Sequence, residues 1–222
     1  MLPKRISNRN IHIINNDNYI LTIILFHPMY NDYTSMLKYC NNNKFRYILI
    51  QSPIININWP NNIDYNVNSW YNYYSDYSGL NKQDNISLID LNNISIDIQF
   101  LIKQLKNDKL ILGGISQGAT IALHNSLHYY NNNIIGVFSL RSILLKHTRI
   151  HKKINKKLRI FTYNGNNDKI YIKKLYLKSF IKLNKFNVDS YIEQSTGHND
   201  TSFNEFKYLN NWLNILNDTF RT

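Results

Sequence analysis

Short apolar runs alternate along this chain with segments in which apolar residues recur at helical spacing. The strand-like runs are 11–14, 19–26, 45–50, 109–112, 134–140, 158–163 and 188–192. The segments with helical spacing are 33–40, 91–105, 119–123, 171–183 and 203–216. Strands that alternate with helices in this way predict an α/β fold with a mainly parallel central sheet and helices on both faces.

Two segments depart from this alternation. Turn-forming residues at 15–18 separate the first two runs, which predicts an opening β-hairpin made of 11–14 and 19–26. Residues 51–90 show no sustained periodicity, which predicts a long loop. Since loops of this length in compact domains are usually functional, we expect a lid-like insertion within one domain that spans residues 1–222.

The junction between the run 109–112 and the next helical segment carries the first chemical signal. It reads Gly114-x-Ser116-x-Gly118, the G-x-S-x-G pattern of a nucleophile elbow, with a strand before it and a helix after it. In such an elbow the serine occupies a sharp turn at the carboxyl edge of a sheet, and the glycines leave room for neighbouring backbone. A glycine-rich strand-to-helix turn without catalytic function is the alternative interpretation.

Two further polar residues follow predicted strands in the same way. Asp168 comes after 158–163 and His198 after 188–192, so the chain order is serine, aspartate, histidine, as in the α/β-hydrolase triad. Because a serine hydroxyl is a weak nucleophile at neutral pH, Ser116 needs a base; His198 would accept its proton, and Asp168 would orient the imidazole. Each residue alone is ambiguous, but their coincidence with strand ends in this order predicts a catalytic site.

Composition narrows the setting of this chemistry. The 222 residues include one cysteine and 43% hydrophobic residues, and no apolar run reaches the ~20 residues of a membrane span. With no apolar leader at the N-terminus, we predict a cytoplasmic protein in a reducing compartment. His124 and His128 lie one helical turn apart without an evident third ligand, so neither a metal nor another cofactor is predicted.

The chain carries a formal net charge of +12, part of which lies in the basic segment 146–157. Such charge favours anionic membrane surfaces or acidic partners, and this segment is either a peripheral membrane contact or, more ordinarily, a solvated loop. A nucleic-acid partner is not predicted, because no recognition motif accompanies the charge. Nothing in the sequence indicates an oligomeric state.

Four short motifs resemble those of the acyl-protein thioesterases, also called the phospholipase/carboxylesterase family. Residues 113–118 read G-G-I-S-Q-G against the family's G-G-F-S-Q-G, and 164–171 resemble its H-G-x-x-D-x-x-V segment around the acid. Residues 197–198 match its G-H segment, and 69–72 resemble its S-W-[FY]-D stretch. The resemblance covers nearly the whole chain and implies an α/β-hydrolase fold with serine hydrolase activity.

The resemblance also implies roles for residues around the triad. Met29 and Gln117 take the positions whose backbone N–H groups form the oxyanion hole, although Pro28 replaces a glycine of the family's H-G-x-G-D loop and restricts its geometry. Trp70 is expected to line an acyl-chain groove, and a packed loop without a role in binding is the alternative. Arg141 stands near the expected mouth of the pocket, where it either selects an acidic group or points to solvent.

The leading prediction is therefore a serine hydrolase that cleaves esters or thioesters of acyl chains, including S-palmitoylated protein cysteines. A lysophospholipase or a general carboxylesterase acting on small esters would use the same residues, since the shape of the groove decides the substrate. A third alternative, motivated by Pro28 and Arg141, is a hydrolase-fold binding protein with weak catalysis. The intact Ser-Asp-His order argues against this alternative.

Overall fold

A sheet of eight strands forms the centre of the molecule, seen in a computed structural model that describes residues 5–6, 9–14, 19–59, 62–74 and 85–220. In chain order the elements are β1 (Arg5–Ile6), β2 (Arg9–Ile14), β3 (Leu21–Phe26), a 3₁₀-helix (Tyr33–Tyr39), β4 (Phe45–Ile50), β5 (Ile54–Trp59), β6 (Asn62–Asn68), α1 (Leu88–Gln104), β7 (Lys109–Ile115), α2 (Gln117–His128), β8 (Ile134–Leu140), β9 (Arg159–Gly165), α3 (Lys173–Leu183), β10 (Asn187–Glu193) and α4 (Phe203–Thr219). The order across the central sheet is β1-β2-β4-β3-β7-β8-β9-β10.

The sheet is mainly parallel, as the sequence predicts. Every neighbouring pair from β4 to β10 runs parallel, whereas β1–β2 and β2–β4 are antiparallel. Parallel strands point their carboxyl ends to one edge of the sheet, where ligand sites of α/β proteins form. The segments that follow β3, β7, β8, β9 and β10 therefore meet at this edge.

Alternate residues of the central strands face two separate cores. Ile24 and Leu112 belong to a core shared with α1 and α2, whereas their neighbours Ile23 and Ile111 belong to a core shared with α4. Strands buried on both faces carry near-continuous apolar runs instead of an alternating pattern. The arrangement confirms the prediction of helices on both faces of the sheet.

The predicted opening hairpin is wrong. Strand β2 pairs antiparallel with β4, with Ile11 opposite Ile50, and β4 separates it from β3. Both edges of β3 are occupied by parallel partners, β4 on one side and β7 on the other. No edge of β3 is left for its neighbour in sequence, so a local turn signal is overridden by the pairing of fully buried strands. The turn itself, residues 15–18, lies outside the described residues.

The prediction that 51–90 is a loop also needs correction. It contains β5 and β6, which form a separate two-stranded antiparallel sheet, and α1 begins at Leu88 after the N-cap Ser87. Both strands are largely exposed: Ile54 is 65% and Tyr65 68% exposed. A ribbon with little burial on either face has no apolar periodicity to reveal it. Residues 75–84, which belong to the predicted lid, lie outside the described part of the chain.

The other predicted elements are found with small shifts of their ends. The segment 33–40 forms a 3₁₀-helix, and the helix predicted at 171–183 begins two residues later at Lys173. Strand 134–140 is found as predicted, and the elbow strand continues to Ile115. The single-domain organisation stays a prediction.

Helix α4 offers a test of the core on its face of the sheet. Trp212 is buried and packs its ring 5.8 Å from that of Phe161, centroid to centroid. We expect Trp212→Ala to lower the free energy of unfolding by about 3–5 kcal/mol, because the cavity cannot close fully. Ile215 on the same helix is 52% exposed, and Ile215→Ala should change that free energy by less than about 1 kcal/mol. Urea unfolding measures both, and equal losses would contradict the packing described here.

Candidate active site

The turn between β7 and α2 holds Ser116 in an unusual backbone conformation. Its φ is 53° and its ψ is −122°, a combination that a residue with a side chain adopts at a cost of about 1–3 kcal/mol. Four bonds fix it: the Ser116 N–H donates to Leu140 O at 2.9 Å, and Ser116 O accepts from Ala119 N at 3.1 Å, Thr120 N at 3.2 Å and Ser142 Oγ at 2.8 Å. These bonds hold Ser116 directly after the carboxyl end of β7, at the edge where the segments following the parallel strands meet.

The glycines of the G-x-S-x-G pattern are required by close backbone approach. A Cβ at Gly118 would lie 2.2 Å from Phe26 O and 2.4 Å from His27 O. A Cβ at Gly114 would lie 2.6 Å from the backbone of Gly118. Since backbone atoms cannot move aside as a flexible side chain can, only glycine fits at either place.

Ser116, His198 and Asp168 are joined by a continuous chain of hydrogen bonds. Ser116 Oγ lies 2.8 Å from His198 Nε2, and His198 Nδ1 lies 2.7 Å from Asp168 Oδ2. A carboxylate only accepts, so Nδ1 carries a proton and Nε2 of the neutral ring accepts from the serine hydroxyl. This arrangement can move a proton from Ser116 to His198 while the imidazolium is stabilised by Asp168. The three residues predicted from separate strand ends are thus brought together.

Asp168 is held in place by the backbone that follows it. Its Oδ1 accepts hydrogen bonds from the N–H groups of Ile170 and Tyr171, each at 2.7 Å, and its side chain is fully buried. The ring of Tyr171 lies 5.5 Å from that of His198, edge to face. With one oxygen bound to backbone, the other is left to orient the imidazole.

A cleft of about 370 Å³ opens above Ser116. Its lining residues are Pro28, Met29, Tyr30, Asn31, Ser35, Lys38, Tyr73, Ile115, Ser116, Gln117, Arg141, Ile170, Tyr171, His198, Asn199 and Thr201. The cleft includes Met29 and Gln117, the residues assigned to the oxyanion hole by resemblance. Its volume is near the lower end of the range for small-molecule sites, and its walls mix polar groups with aromatic and aliphatic ones.

Trp70 does not line this cleft, which corrects its predicted role in an acyl-chain groove. Its side chain is fully buried and donates from Nε1 to His27 O at 2.7 Å. Gln117 fixes the same loop, because its Oε1 accepts from Ser69 Oγ at 3.0 Å and Trp70 N at 2.9 Å, and its Nε2 donates to Tyr71 O at 2.9 Å. The motif at 69–72 therefore packs behind the cleft and fixes His27 and Gln117 by hydrogen bonds, without lining the cleft itself.

His27 anchors the loop that carries Pro28 and Met29. Its Nδ1 donates to Pro28 O at 2.8 Å, and its Nε2 accepts from Ser52 N at 3.0 Å. Burial lowers the pKa of His27 from 6.5 to about 4. The neutral ring with its proton on Nδ1 is the form that satisfies both bonds.

The sequence left two alternatives for Arg141, selection of an acidic group or exposure to solvent. The structure corrects both, because the guanidinium is buried and already paired with a carboxyl group of the protein. Arg141 is buried with a φ of 51°, and its Nε lies 3.2 Å from Oε2 of the buried Glu205. Its Nη1 donates to Asp200 O at 2.9 Å and more weakly to His198 O at 3.4 Å. Arg141 thus ties the loop of His198 to the start of α4, with its guanidinium forming part of the cleft wall.

Glu205 is a residue of this site that sequence reasoning missed. Its pKa is raised by burial, and its Oε1 also accepts from Tyr39 Oη at 2.6 Å. The sequence 202–205 reads S-x-x-E, a capping-box pattern that places a glutamate at the surface of a helix start. Ser202 does cap α4, but the Glu205 side chain is buried against Arg141, the residue that follows β8. No local sequence pattern predicts a contact between residues so far apart in the chain.

The two histidines of α2 contact each other and a neighbouring threonine. His124 and His128 stack at 4.8 Å, and His124 Nδ1 lies 2.9 Å from Thr148 Oγ1. Within the described residues, no group of three or more His, Cys, Asp or Glu side chains is placed to hold a metal ion. No helix among these residues has the length and apolar composition needed to cross a membrane.

The strand order and the strained serine turn define an α/β-hydrolase fold. The family model described as Phospholipase/Carboxylesterase matches residues 13–217, and the chain belongs to this family. A search of curated protein sequences finds no significant match.

Solved structures share the fold at low sequence identity. Acyl-protein thioesterase 2 of Zea mays is 17% identical, with a TM-score of 0.74 over 93% of this chain and 98% of that one. The Bacillus cereus carboxylesterase is 15% identical, with a TM-score of 0.75 over 93% of each chain. SOBER1 of Arabidopsis thaliana is 16% identical, with a TM-score of 0.67 over 87% of this chain and 97% of that one.

Stability should depend on pH through His27. The unfolded chain takes up a proton below about pH 6.5, whereas native His27 does so only near pH 4, so stability falls as pH drops through this window. The loss from His27 is on the order of 3 kcal/mol. Urea unfolding between pH 7 and 4 should show a steeper decline for wild type than for His27→Gln. Parallel pH dependences would contradict this assignment, since the buried His124, with a pKa of about 3, contributes equally to both proteins.

The Arg141–Glu205 pair should separate stability from activity. Arg141→Met leaves the Glu205 carboxylate buried without its partner, and we expect a loss of about 3–5 kcal/mol in the free energy of unfolding. In the double variant with Glu205→Gln most of this stability should return. Hydrolysis of p-nitrophenyl butyrate should stay low, because the carbonyls of the His198 loop still lack the guanidinium. Full recovery of turnover in the double variant would show that Arg141 only balances charge.

Proposed function

We propose that this protein is a serine hydrolase that cleaves esters or thioesters of acyl chains. Ser116 would act as the nucleophile, His198 as the general base and acid, and Asp168 as the group that orients the imidazole. The observation that carries the proposal is the hydrogen-bonded chain from Ser116 Oγ to His198 Nε2 and from Nδ1 to Asp168 Oδ2, at 2.8 and 2.7 Å. The left-handed turn at Ser116 and membership of the phospholipase/carboxylesterase family support it.

In the proposed reaction Ser116 Oγ attacks the carbonyl carbon of the substrate and its proton passes to His198 Nε2. The resulting oxyanion would accept hydrogen bonds from the backbone N–H groups of Met29 and Gln117. Each such donor typically contributes a factor of about 10²–10³ to turnover. His198 then protonates the leaving alcohol or thiol, and a water activated by the same ring releases the acid from the acyl-enzyme.

The cleft supports a carboxylesterase of short or polar acyl groups better than an enzyme for long chains. Its volume is about 370 Å³, and Lys38, Asn31 and Asn199 are among its lining. Depalmitoylation of proteins is the second candidate, since the resemblance of the motif at 113–118 extends to acyl-protein thioesterases. The likeness to the Zea mays thioesterase does not decide between the two, because at 17% identity it concerns the fold alone.

The predicted partners follow from the same proposal. They are a small acyl ester, a lysophospholipid or an acylated protein. In the segment 146–157, Arg149, Lys152, Lys153, Lys156 and Lys157 are exposed. Peripheral contact of this segment with anionic membranes remains a prediction, as does the cytoplasmic location.

A fluorophosphonate probe tests the nucleophile directly. Wild type should be labelled, and Ser116→Ala should lose labelling together with p-nitrophenyl butyrate hydrolysis, by a factor on the order of 10⁴–10⁶. Ser126→Ala is the matched control, since Ser126 lies on α2 and its buried hydroxyl has no partner among the described residues. Absence of labelling in well-folded wild type would leave the binding-protein alternative as the better account.

Acyl-chain length separates the two candidate substrates. With this cleft, kcat/KM should rise from the acetate to the butyrate ester of p-nitrophenol and rise no further with the octanoate. A steady rise to octanoate, with cleavage of an S-palmitoylated peptide, would favour the thioesterase instead.

A further inference from the structure

The charges around the cleft are unevenly balanced. Two cationic side chains, Lys38 and Arg141, belong to its lining, and the described lining contains no aspartate or glutamate. Both cations also reach the same hydroxyl: Lys38 Nζ and Arg141 Nη1 donate to Thr201 Oγ1 at 3.3 and 3.4 Å. The cleft wall that carries these two side chains is therefore lined by positive groups without a carboxylate among its lining residues.

Only one of the two cations is neutralised. Arg141 lies 3.2 Å from the carboxyl group of Glu205, and both side chains are buried, so the guanidinium has its partner within the protein. Lys38 forms no ion pair within 4 Å with any carboxylate of the described residues. The positive charge that remains at the cleft is that of Lys38.

Lys38 is an exposed residue, and contacts with neighbouring side chains position its ammonium at the cleft. Lys38 belongs to the last turn of the 3₁₀-helix, and its Nζ lies 5.5 Å from the ring centre of Tyr39 and 6.0 Å from that of Phe206. Partial burial, and then the neighbouring Arg141, lower the pKa of Lys38. A nearby anion would relieve both effects, because it replaces lost hydration and offsets the repulsion between the cations.

We propose that Lys38 binds an anionic group of the substrate, so that the preferred substrates are esters or thioesters bearing a carboxylate or phosphate beyond the scissile bond. This inference rests on the proposed function, whose substrate class it narrows. Lys38 lines the same cleft as Ser116, so a negative charge bound there fixes the orientation of the carbonyl. A lysine suits either anion, since its ammonium acts as a point charge without the planar geometry of arginine.

Matched substrates that differ in one charge test this proposal. We would compare kcat/KM for p-nitrophenyl hemiglutarate, which carries a carboxylate on the acyl side, with that for the neutral p-nitrophenyl butyrate. A second pair compares 1-butyryl-glycerol 3-phosphate with monobutyrin, which places a phosphate on the leaving group. Wild type should prefer the anionic member of at least one pair. The pair that shows the preference identifies the anion, carboxylate or phosphate, and whether it lies on the acyl group or on the leaving group. Lack of preference in both pairs would overturn the proposal.

Substitution of the lysine assigns the preference to its source. Lys38→Met should reduce the ratio of anionic to neutral turnover by roughly tenfold to a hundredfold, the range for loss of a charge-assisted hydrogen bond. Lys38→Glu should reduce it further. Lys207→Met is the control, because it removes one exposed positive charge on α4 outside the cleft. An equal effect of Lys38→Met and Lys207→Met would show that net charge alone creates the preference.

Binding to a variant without the nucleophile keeps this test independent of catalysis. In a Ser116→Ala background, calorimetry should show tighter binding of monomethyl glutarate than of dimethyl glutarate, or of glycerol 3-phosphate than of glycerol. Adding Lys38→Met should abolish the difference. This result would support the anion site even if no ester were hydrolysed by wild type, in which case only the proposed function fails. Equal binding of charged and neutral compounds, alongside active wild type, would overturn the anion site alone.

Discussion

The geometry of the whole site depends on one backbone constraint, the left-handed conformation of Ser116 between β7 and α2. The turn is possible because Gly118 lets the first turn of α2 pack directly on the carbonyl groups that end β3, where a Cβ would lie 2.2 Å from Phe26 O. The same contact brings the loop after β3 beside the start of α2. Met29 and Gln117 consequently line one cleft. The fixed φ of Pro28 thus acts on a loop already positioned by packing at Gly118.

A second left-handed residue stands at the end of the neighbouring strand. Arg141 follows β8 with a φ of 51°, as Ser116 follows β7 with a φ of 53°. The strand ladder continues through both, since Ser116 N donates to Leu140 O at 2.9 Å and Arg141 N donates to Tyr163 O at 2.6 Å. Backbone strain persists where surrounding bonds over-determine a conformation. Here the sheet edge supplies those bonds, and it directs one side chain to the reacting centre and the other to the loop of His198.

Much of the fold could be predicted because buried parallel strands leave apolar runs and their helices leave periodic stripes. The exposed ribbon of β5 and β6 shows neither pattern, and the pairing of β2 depends on which edges of the buried strands are already occupied.

In the site, the triad members could be predicted from their places after strands. Glu205 could not, since its burial depends on a partner 64 positions away in the chain. The prediction for Trp70 was wrong because a motif shows the same residues whether a side chain contacts substrate or packs behind the site. Only the burial of Trp70 in the structure distinguishes these two roles.

Electrostatics at the cleft has to be distinguished from the charge of the protein as a whole. A net charge of +12 attracts any anion, and between exposed groups this attraction is screened beyond about 8 Å at physiological salt. It raises the rate of encounter without regard to where the negative charge sits on the partner. An ammonium held at the cleft wall acts after encounter and at a fixed position relative to Ser116. It therefore discriminates among anionic esters by the distance between the charge and the scissile carbonyl, which the diffuse charge of lysines outside the cleft cannot do.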